Sequence, residues 1–268
     1  MSIITISRGS YSRGKDVAER LAAALGYECV SRDILLEASE EFNIPEIKLI
    51  RALHDAPSIL DRFTYGKERY VAYIRSTLLK CVQKDNVVFH GLAGHFFLQG
   101  IPNVCKVRII AEFEDRLMEE MKRENISAEE ARYILKKDDE ERRKWSLHLY
   151  GKDTNDASLY DMVVHIKTMS VKDAVDVIQC AVKRPCFQTT PQSQALLDNL
   201  ALAAQVEARL VNQFPSVSAS AENGVVTISV KAPLAHEDAI AAQVKEEALA
   251  VPGVKSVKVY VSPSTTGD

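Results

Sequence analysis

The chain has 268 residues, 46% of them hydrophobic, so it can bury one large core or two smaller ones. Its 34 Lys and Arg against 37 Asp and Glu give no basic excess, which argues against a duplex nucleic-acid binder. No apolar run approaches the roughly 20 residues of a membrane span, and the first residues lack a secretory signal pattern. We therefore expect a cytoplasmic protein without a transmembrane segment.

The most informative segment is residues 3–22, in which an apolar run, a Gly- and Ser-containing loop and a helical pattern follow one another. Gly9 to Lys15 fits G-x-x-x-x-G-K, the pattern of a phosphate-binding loop. Backbone N–H groups of such a loop surround phosphate oxygens, and the following helix N-terminus favours an anion. Asp16 stands where Ser or Thr usually contacts magnesium. A phosphate site is the prediction, and a simple strand-to-helix turn is the alternative.

Residues 1–183 alternate between strand-like and helix-like patterns. Short apolar runs typical of strands buried on both faces occur at 3–6, 87–89, 107–110 and 162–164. Helical spacing of apolar residues follows the first run at Val17, Leu21 and Leu25, and recurs after Gly66 and after Asp173. Such alternation predicts an α/β fold with a parallel sheet flanked by helices. Ligands of these sheets bind at the carboxyl ends of the strands, where the Gly9–Lys15 loop would lie.

Residues 112–150 are densely charged and have a helical pattern throughout. Ser127 and Glu130 form the capping-box signature that opens one helix. Two interpretations are open. The segment is either a solvated helical hairpin with ion-paired faces or a lid that carries arginines to phosphates.

The sequence predicts a second, smaller unit after a proline-containing linker at 184–192. Residues 193–263 have the pattern α-β-β-α-β, in which Asn223-Gly224 between alternating runs is a hairpin signal. The expected domains are thus 1–183 and 193–263, and residues 264–268 form a tail. The second unit is acidic, so its charge gives no support for binding an anionic membrane.

Residues 1–183 resemble the cytidylate kinase-like family of P-loop nucleoside-monophosphate kinases. The resemblance rests on four segments in the family's order: ITISRGSYSRGKDVAERLAAALGY, SRDILLEASEEFNI, EDRLMEEMKRENISAEEARYILKKDDEER and SLYDMVVHIKTMSVKDAVDVI. It implies a helical lid and transfer of a phosphoryl group from ATP, with Mg²⁺, to CMP, dCMP or a similar nucleoside monophosphate. Such transfer depends on positioning and on neutralising charge on phosphate oxygens.

The resemblance also implies roles for individual residues. Donor phosphates would be held by the loop, namely Gly9, Ser10, Tyr11, Ser12, Arg13, Gly14 and Lys15. Asp16 would hold magnesium through water or would simply be a first-turn acid, and Arg32 with Asp33 would bind the acceptor or form a helix-start ion pair. In the lid, Arg142 of the D-x-x-R pattern with Asp139 is the preferred catalytic residue, Arg116 is next, and Arg123 and Arg143 are further substrate-binding candidates.

Two positions depart from the family. Gly91 is followed by Leu92, where the family usually has Arg, and His165 replaces the family's Asn near the end of the last strand. We interpret His90, His95 and His165 as packed structural residues. Leu92, together with Asp16 at the usual magnesium position of the loop, leaves room for an alternative function, a non-catalytic nucleotide-binding regulatory protein that signals through its C-terminal unit.

Residues 193–263 resemble a BON domain, a small module associated with lipid or surface binding. The matching segments are ENGVVTISV and VPGVKSVKVYV. The resemblance implies a lipid- or protein-docking module fused to the kinase-like part. A third interpretation gives this module the main role, as an adaptor.

Overall fold

The computed structural model describes residues 2–9, 13–31, 33–42, 66–91, 94–233 and 236–263, without the side chains of residues 33–37, 66–68, 145, 148 and 149. A five-stranded, entirely parallel sheet with strand order β2-β3-β1-β4-β5 organises the first part of the chain. Its elements are β1 (Ile3–Arg8), α1 (Gly14–Leu25), β2 (Glu28–Val30), α2 (Asp33–Phe42), α3 (Gly66–Val82), β3 (Val87–His90), α4 (Gly94–Phe97), β4 (Val104–Ala111), α5 (Phe113–Glu124), α6 (Ala128–Tyr150), β5 (Met162–Ile166) and α7 (Val171–Val182).

Helices cover both faces of this sheet, and each face has its own apolar cluster. Ile4 and Ile6 of β1 belong to the cluster that contains α1 and α7. Ile3 belongs to the opposite cluster, which contains α3 and α4. Successive side chains of a strand point to opposite faces, so a strand buried on both sides is a continuous apolar run. The four predicted strands and the α/β class are confirmed.

Residues 112–150 form two helices, α5 and α6, joined by a short turn. The Ser127 side chain accepts a hydrogen bond from the Glu130 backbone N–H at 3.2 Å, and Glu130 accepts one from the Ser127 N–H at 3.0 Å. The capping box read from the sequence is therefore present and starts α6. Leu117, Ala131 and Leu135 form a small apolar cluster between the two helices.

The C-terminal part contains a second, three-stranded sheet of order β6-β7-β8. Its elements are α8 (Pro191–Leu210), β6 (Ser218–Glu222), β7 (Val225–Ala232), α9 (Glu237–Leu249) and β8 (Ser256–Pro263). The order α-β-β-α-β agrees with the sequence prediction. Asn223 and Gly224 both have positive φ, 52° and 87°, as the predicted hairpin turn requires.

Helix α8 contributes to the cores of both parts of the chain. Leu197, Ala201 and Ala204 are fully or almost fully buried in the cluster of α3 and α4. Val206 and Leu210, further along the same helix, belong to the cluster of the small sheet. The helix is consequently shared by the two apolar cores.

Polar contacts accompany this packing. Glu207 of α8 forms an ion pair with Arg75 of α3. Thr189, in the segment predicted as a linker, donates a hydrogen bond to Asp85 Oδ2 at 2.7 Å and accepts one from Asn103 Nδ2 at 3.0 Å. The segment between the two parts is thus held by hydrogen bonds to the first part. None of the helices within the described ranges combines the length and apolar character needed to cross a bilayer.

Candidate active site

The Gly9–Lys15 loop leaves the central strand β1 at its carboxyl end and enters α1. Residues 10–12 lie outside the described residues. Arg13 has a φ of 60°, in the left-handed region, and directly precedes the helix. A Cβ at Gly14 would lie 2.7 Å from the Arg8 Cβ, so only glycine permits this close approach. The loop therefore has the strand–turn–helix setting that a phosphate site needs.

The charged residues at the start of α1 are exposed. The Lys15 side chain is 61% exposed, and its Nζ lies 3.6 Å from Glu19 Oε1 on the same helix. Arg13 donates a hydrogen bond to Glu119 of α5 at 2.7 Å. Asp16 is exposed in the first turn of α1, where the helix dipole favours an acid.

A cleft of about 250 Å³ opens where the loop meets β3, β4 and α6. We call it the arginine cleft, because four arginines and a single carboxylate lie among its lining residues. Its charged residues are Arg8, Arg108, Arg116, Arg142 and Asp139, and the rest of the lining comprises Ser7, Gly9, Gly91, His95, Phe96, Ile110, Ala111, Thr154 and Asn155. This excess of guanidinium groups suits an anionic ligand that presents several oxygens.

Two of the predicted lid arginines lie in this cleft. Arg116 Nη2 donates to both carboxylate oxygens of Asp139, at 2.9 and 2.8 Å, and its side chain is only 11% exposed. Arg142 Nη1 donates to the Arg8 carbonyl at 3.3 Å. A Cβ at Gly9 would lie 3.7 Å from Arg116 Nη1 and from Asp139 Oδ1. The D-x-x-R pattern of α6 and Arg116 of α5 thus meet the first glycine of the loop.

Other predicted residues lie elsewhere. Arg123 is 52% exposed and pairs with Glu120 and Glu124 of its own helix. Arg143 donates to Asp153 at 2.7 Å and does not line the cleft. Arg32, the Asp33 side chain and Leu92 lie outside the described residues.

Sequence reasoning missed Arg8, Arg108 and Asn155 as lining residues. A signal for Arg108 was available, because a charged residue interrupts the apolar run Val107–Ile110 of a strand buried on both faces. Arg108 donates hydrogen bonds to the Tyr160 hydroxyl at 3.2 Å and to Asn155 Oδ1 at 2.8 Å.

The three histidines differ from one another. His90 and His95 are buried, as the structural interpretation expected. His165 is instead 43% exposed and lies 3.4 Å from Glu112, so its interpretation as a packed residue is wrong. The cause is its position on β5, an edge strand of the sheet.

His95 lines the arginine cleft as a neutral imidazole. Its ring packs against Phe96 and Tyr160, with centroids 3.9 and 5.1 Å away. Burial, and secondarily the positive charges of Arg108 and Lys106, lower the pKa of His95 to about 3. Its Nε2 is buried and has no hydrogen-bond partner among the described residues.

The lowered pKa of His95 predicts a pH dependence of stability. The contribution of the neutral ring is fully present above the unfolded pKa of about 6.5 and is lost as the pH falls toward about 3. We expect His95→Asn to abolish this loss, which amounts to about 2 kcal/mol between roughly pH 7 and pH 5. Urea unfolding of both proteins at the two pH values measures it. An equal loss of unfolding free energy in wild type and variant would contradict the prediction.

A second cleft, of about 470 Å³, lies on the other side of the α1 N-terminus. It is lined by Arg13, Asp16, Arg20, Ala111, Asp115, Ile166, Lys167, Met169, Ser170, Val171 and Lys172. The carboxyl end of β4 borders both clefts, since Ala111 lines each of them. The two clefts therefore flank one phosphate-type loop.

The model of the cytidylate kinase-like family matches residues 3–168, which is more than half of the chain and includes the loop, α5 and α6. The chain belongs to the cytidylate kinase-like family. The match ends shortly before α7 and does not include the small C-terminal sheet.

Individual relatives agree with the family match. A cytidylate kinase of Thermoplasma acidophilum is 36% identical over 87 residues, which cover 32% of this chain and 46% of that protein. A cytidylate kinase of Pyrobaculum aerophilum is 25% identical over 179 residues, covering 66% of this chain and 90% of that protein. This family member spans about half the length of the first relatives it matches, from Thermoplasma acidophilum and Pyrococcus horikoshii.

One solved structure has the same fold over most of the chain. It is an uncharacterized protein from Eubacterium ventriosum, with a TM-score of 0.53 and 20% identity. The match covers 69% of this chain and 100% of that chain. At this identity the likeness concerns the fold alone.

Proposed function

We propose that this family member is an ATP-dependent nucleoside-monophosphate kinase that phosphorylates CMP, dCMP or a similar acceptor. The observation that carries the proposal is the arginine cleft at the carboxyl end of the sheet, directly beside Gly9. Transferring a phosphoryl group requires precise positioning and neutralised oxygens rather than covalent chemistry by the protein. An arginine-rich cleft next to a phosphate-type loop supplies both.

The residues divide into donor and acceptor groups in this proposal. Backbone groups of the 9–14 loop, with Lys15, hold the donor phosphates, and the second cleft receives the donor base and ribose. Arg116 and Arg142 neutralise the transferred phosphoryl group from the lid. We assign binding of the acceptor nucleotide to Arg32 and to Asp33, the first residue of α2. Arg123 and Arg143 are weaker candidates for the same role.

Magnesium would enter with ATP. No group of three or more His, Cys, Asp or Glu within the described ranges is arranged to hold a metal ion by itself. Exposed Asp16 and nearby Asp115 of the second cleft fit a cation that is held mainly by phosphates and water. When bound, the ion offsets negative charge on the phosphate oxygens.

Replacing Lys15 with alanine should weaken ATP binding by about 30-fold or more, since a charge-assisted contact to phosphate is lost. The pair between Lys15 and Glu19 is exposed and worth under about 1 kcal/mol, so Lys15 can turn toward the loop at little cost. Titration of ATP–Mg²⁺ by calorimetry measures the effect. Glu19→Gln is the control and should leave the affinity nearly unchanged. Equal ATP affinity of wild type and Lys15→Ala would place the phosphate site elsewhere.

A panel of nucleoside monophosphates in a coupled diphosphate-release assay tests the enzymatic proposal. We expect turnover with CMP or dCMP, with the preferred acceptor given by the highest kcat/KM. Absence of diphosphate with every acceptor would refute the proposal.

A second candidate is a non-catalytic nucleotide-binding protein. Asp16, at a position where Ser or Thr usually contacts magnesium, favours it, as does Leu92 at a position where the family usually has Arg. This alternative predicts that ATP raises the melting temperature without turnover in the acceptor panel.

For residues 193–263 we propose a BON-like docking module for lipid or protein, with 1–183 as the kinase part, 184–192 as the connection and 264–268 as a tail. The α-β-β-α-β order supports it. Co-sedimentation of the full chain with vesicles of neutral and anionic lipid tests the lipid arm. A cytoplasmic location stays a prediction.

A further inference from the structure

Arg108 reaches the arginine cleft from the face of the sheet opposite to α1. Its neighbours Val107 and Ile109 are fully buried in the cluster of α1 and α7. Because side chains alternate along a strand, Arg108 projects to the face that α3 and α4 cover. Ser7, which pairs with Arg108 in register, projects the same way, and its hydroxyl lies 3.2 Å from the same Tyr160 oxygen.

The hydrogen-bond partners of Arg108 are electrically neutral. Its guanidinium donates to the Tyr160 hydroxyl and to the Asn155 side-chain carbonyl, and its Cζ lies 5.6 Å from the Tyr160 ring centre. None of the ion pairs found among the described residues involves Arg108, whereas Arg116 is paired with Asp139. The charge of Arg108 contributes to the lowered pKa of Asp153, but the ion pair and the side-chain hydrogen bond of Asp153 go to Arg143. The half-buried guanidinium of Arg108, beside the buried neutral His95, is therefore not itself in an ion pair among the described residues.

The surrounding elements indicate which ligand this charge would meet. Helix α2, which begins at the proposed acceptor residue Asp33, packs in the same apolar cluster as α3 and α4 through Ala38. Helix α1 packs against the opposite face. Arg108 shares the cleft with Gly91, and the residue after Gly91 is Leu92, which has no charge to offer. An anion entering from the acceptor side would thus meet Arg108.

We propose that Arg108 binds the phosphate of the acceptor nucleotide, from the α4 side of the arginine cleft. This inference rests on the proposed function and names a binding residue for it. Two guanidinium nitrogens that now bind Tyr160 and Asn155 fix the plane of the group, so its remaining N–H donors are held ready for phosphate oxygens.

The test compares Arg108→Gln, Arg108→Lys and Tyr160→Phe in the full chain. Arg108→Gln should raise the KM and Kd for CMP by about 30-fold or more and change those for ATP by less than about 3-fold. Arg108→Lys should restore part of the CMP affinity, because a point charge remains without the planar fork. Tyr160→Phe keeps the cation and removes one of the two bonds that fix its plane, so CMP affinity should fall by clearly less than in Arg108→Gln.

The outcomes separate this inference from the proposed function. If Arg108→Gln turns over CMP with an unchanged KM, the inference about Arg108 is wrong and the kinase proposal stands. The same holds if Tyr160→Phe weakens CMP binding as much as Arg108→Gln, since Arg108 would then act only by holding Tyr160. If the wild type binds CMP without turning it over, and Arg108→Gln loses that binding, the inference about Arg108 stands and the kinase proposal fails. Absence of CMP binding by wild type overturns both.

Discussion

Replacing Arg116 with alanine should lower kcat/KM for the acceptor by about 1,000-fold or more, the scale on which transition-state arginines act in phosphoryl transfer. Arg116 is 11% exposed, lines the arginine cleft and lies against Gly9 of the loop. Its two hydrogen bonds to Asp139, both donated by Nη2, hold the guanidinium before any ligand arrives, so little reorganisation is needed when charge develops on the phosphate. Steady-state kinetics with ATP–Mg²⁺ and CMP measures the loss.

Arg132 provides the matched control on the same hairpin. It pairs with Glu114 at 3.3 Å, is 45% exposed and does not line the cleft. Arg132→Ala should change kcat/KM by less than about 3-fold, since an exposed pair of this kind contributes under about 1 kcal/mol. A melting temperature for each variant separates lost catalysis from lost folding. A fully folded Arg116→Ala protein with near wild-type kinetics would exclude Arg116 from the reaction.

Replacing Leu197 with alanine should destabilise the whole chain by about 2–5 kcal/mol, as is usual for a large side chain deleted from a packed core. Leu197 is fully buried in the cluster that contains α3, α4 and the central strand β1. The residue belongs to α8, which the sequence assigned to the C-terminal unit. The cavity would therefore weaken the kinase-like part through a helix that lies outside residues 1–183.

Leu196, the preceding residue of α8, is the matched control. Its side chain is 42% exposed, so Leu196→Ala should cost less than about 1 kcal/mol. Urea unfolding followed by far-ultraviolet circular dichroism gives both values. Equal small effects of the two substitutions would show that α8 is not part of the core that supports the sheet.

Four of the five strands were predicted, and burial on both faces makes the pattern of the central strands distinct, whereas the short edge strand β2 has no such pattern. Ile3–Ile6, interrupted only by the buried Thr5, and Val87–Phe89 are apolar runs, and they form neighbouring parallel strands. Ser127 with Glu130 likewise predicted the start of α6, because capping depends on residues only three positions apart. Local signals of this kind need no knowledge of the tertiary structure.

Features that depend on distant contacts were not predictable. Leu197 and Ala201 of α8 belong to an apolar cluster with Leu78 and Val82, more than a hundred positions earlier in the chain. The role of Thr189 as a hydrogen-bond partner of Asp85 was hidden in the same way. Arg108 had a sequence signal, but its lack of a carboxylate partner within the described chain depends on the tertiary structure.

We propose that residues of the arginine cleft assist transfer of the γ-phosphoryl group of ATP to a nucleoside monophosphate. The direct measurement incubates the protein with ATP labelled in its γ-phosphate, Mg²⁺ and CMP, and follows the label by chromatography. The account predicts that the label appears in CDP. Label that stays in ATP or passes only to inorganic phosphate, with CMP bound to a folded protein, would contradict it.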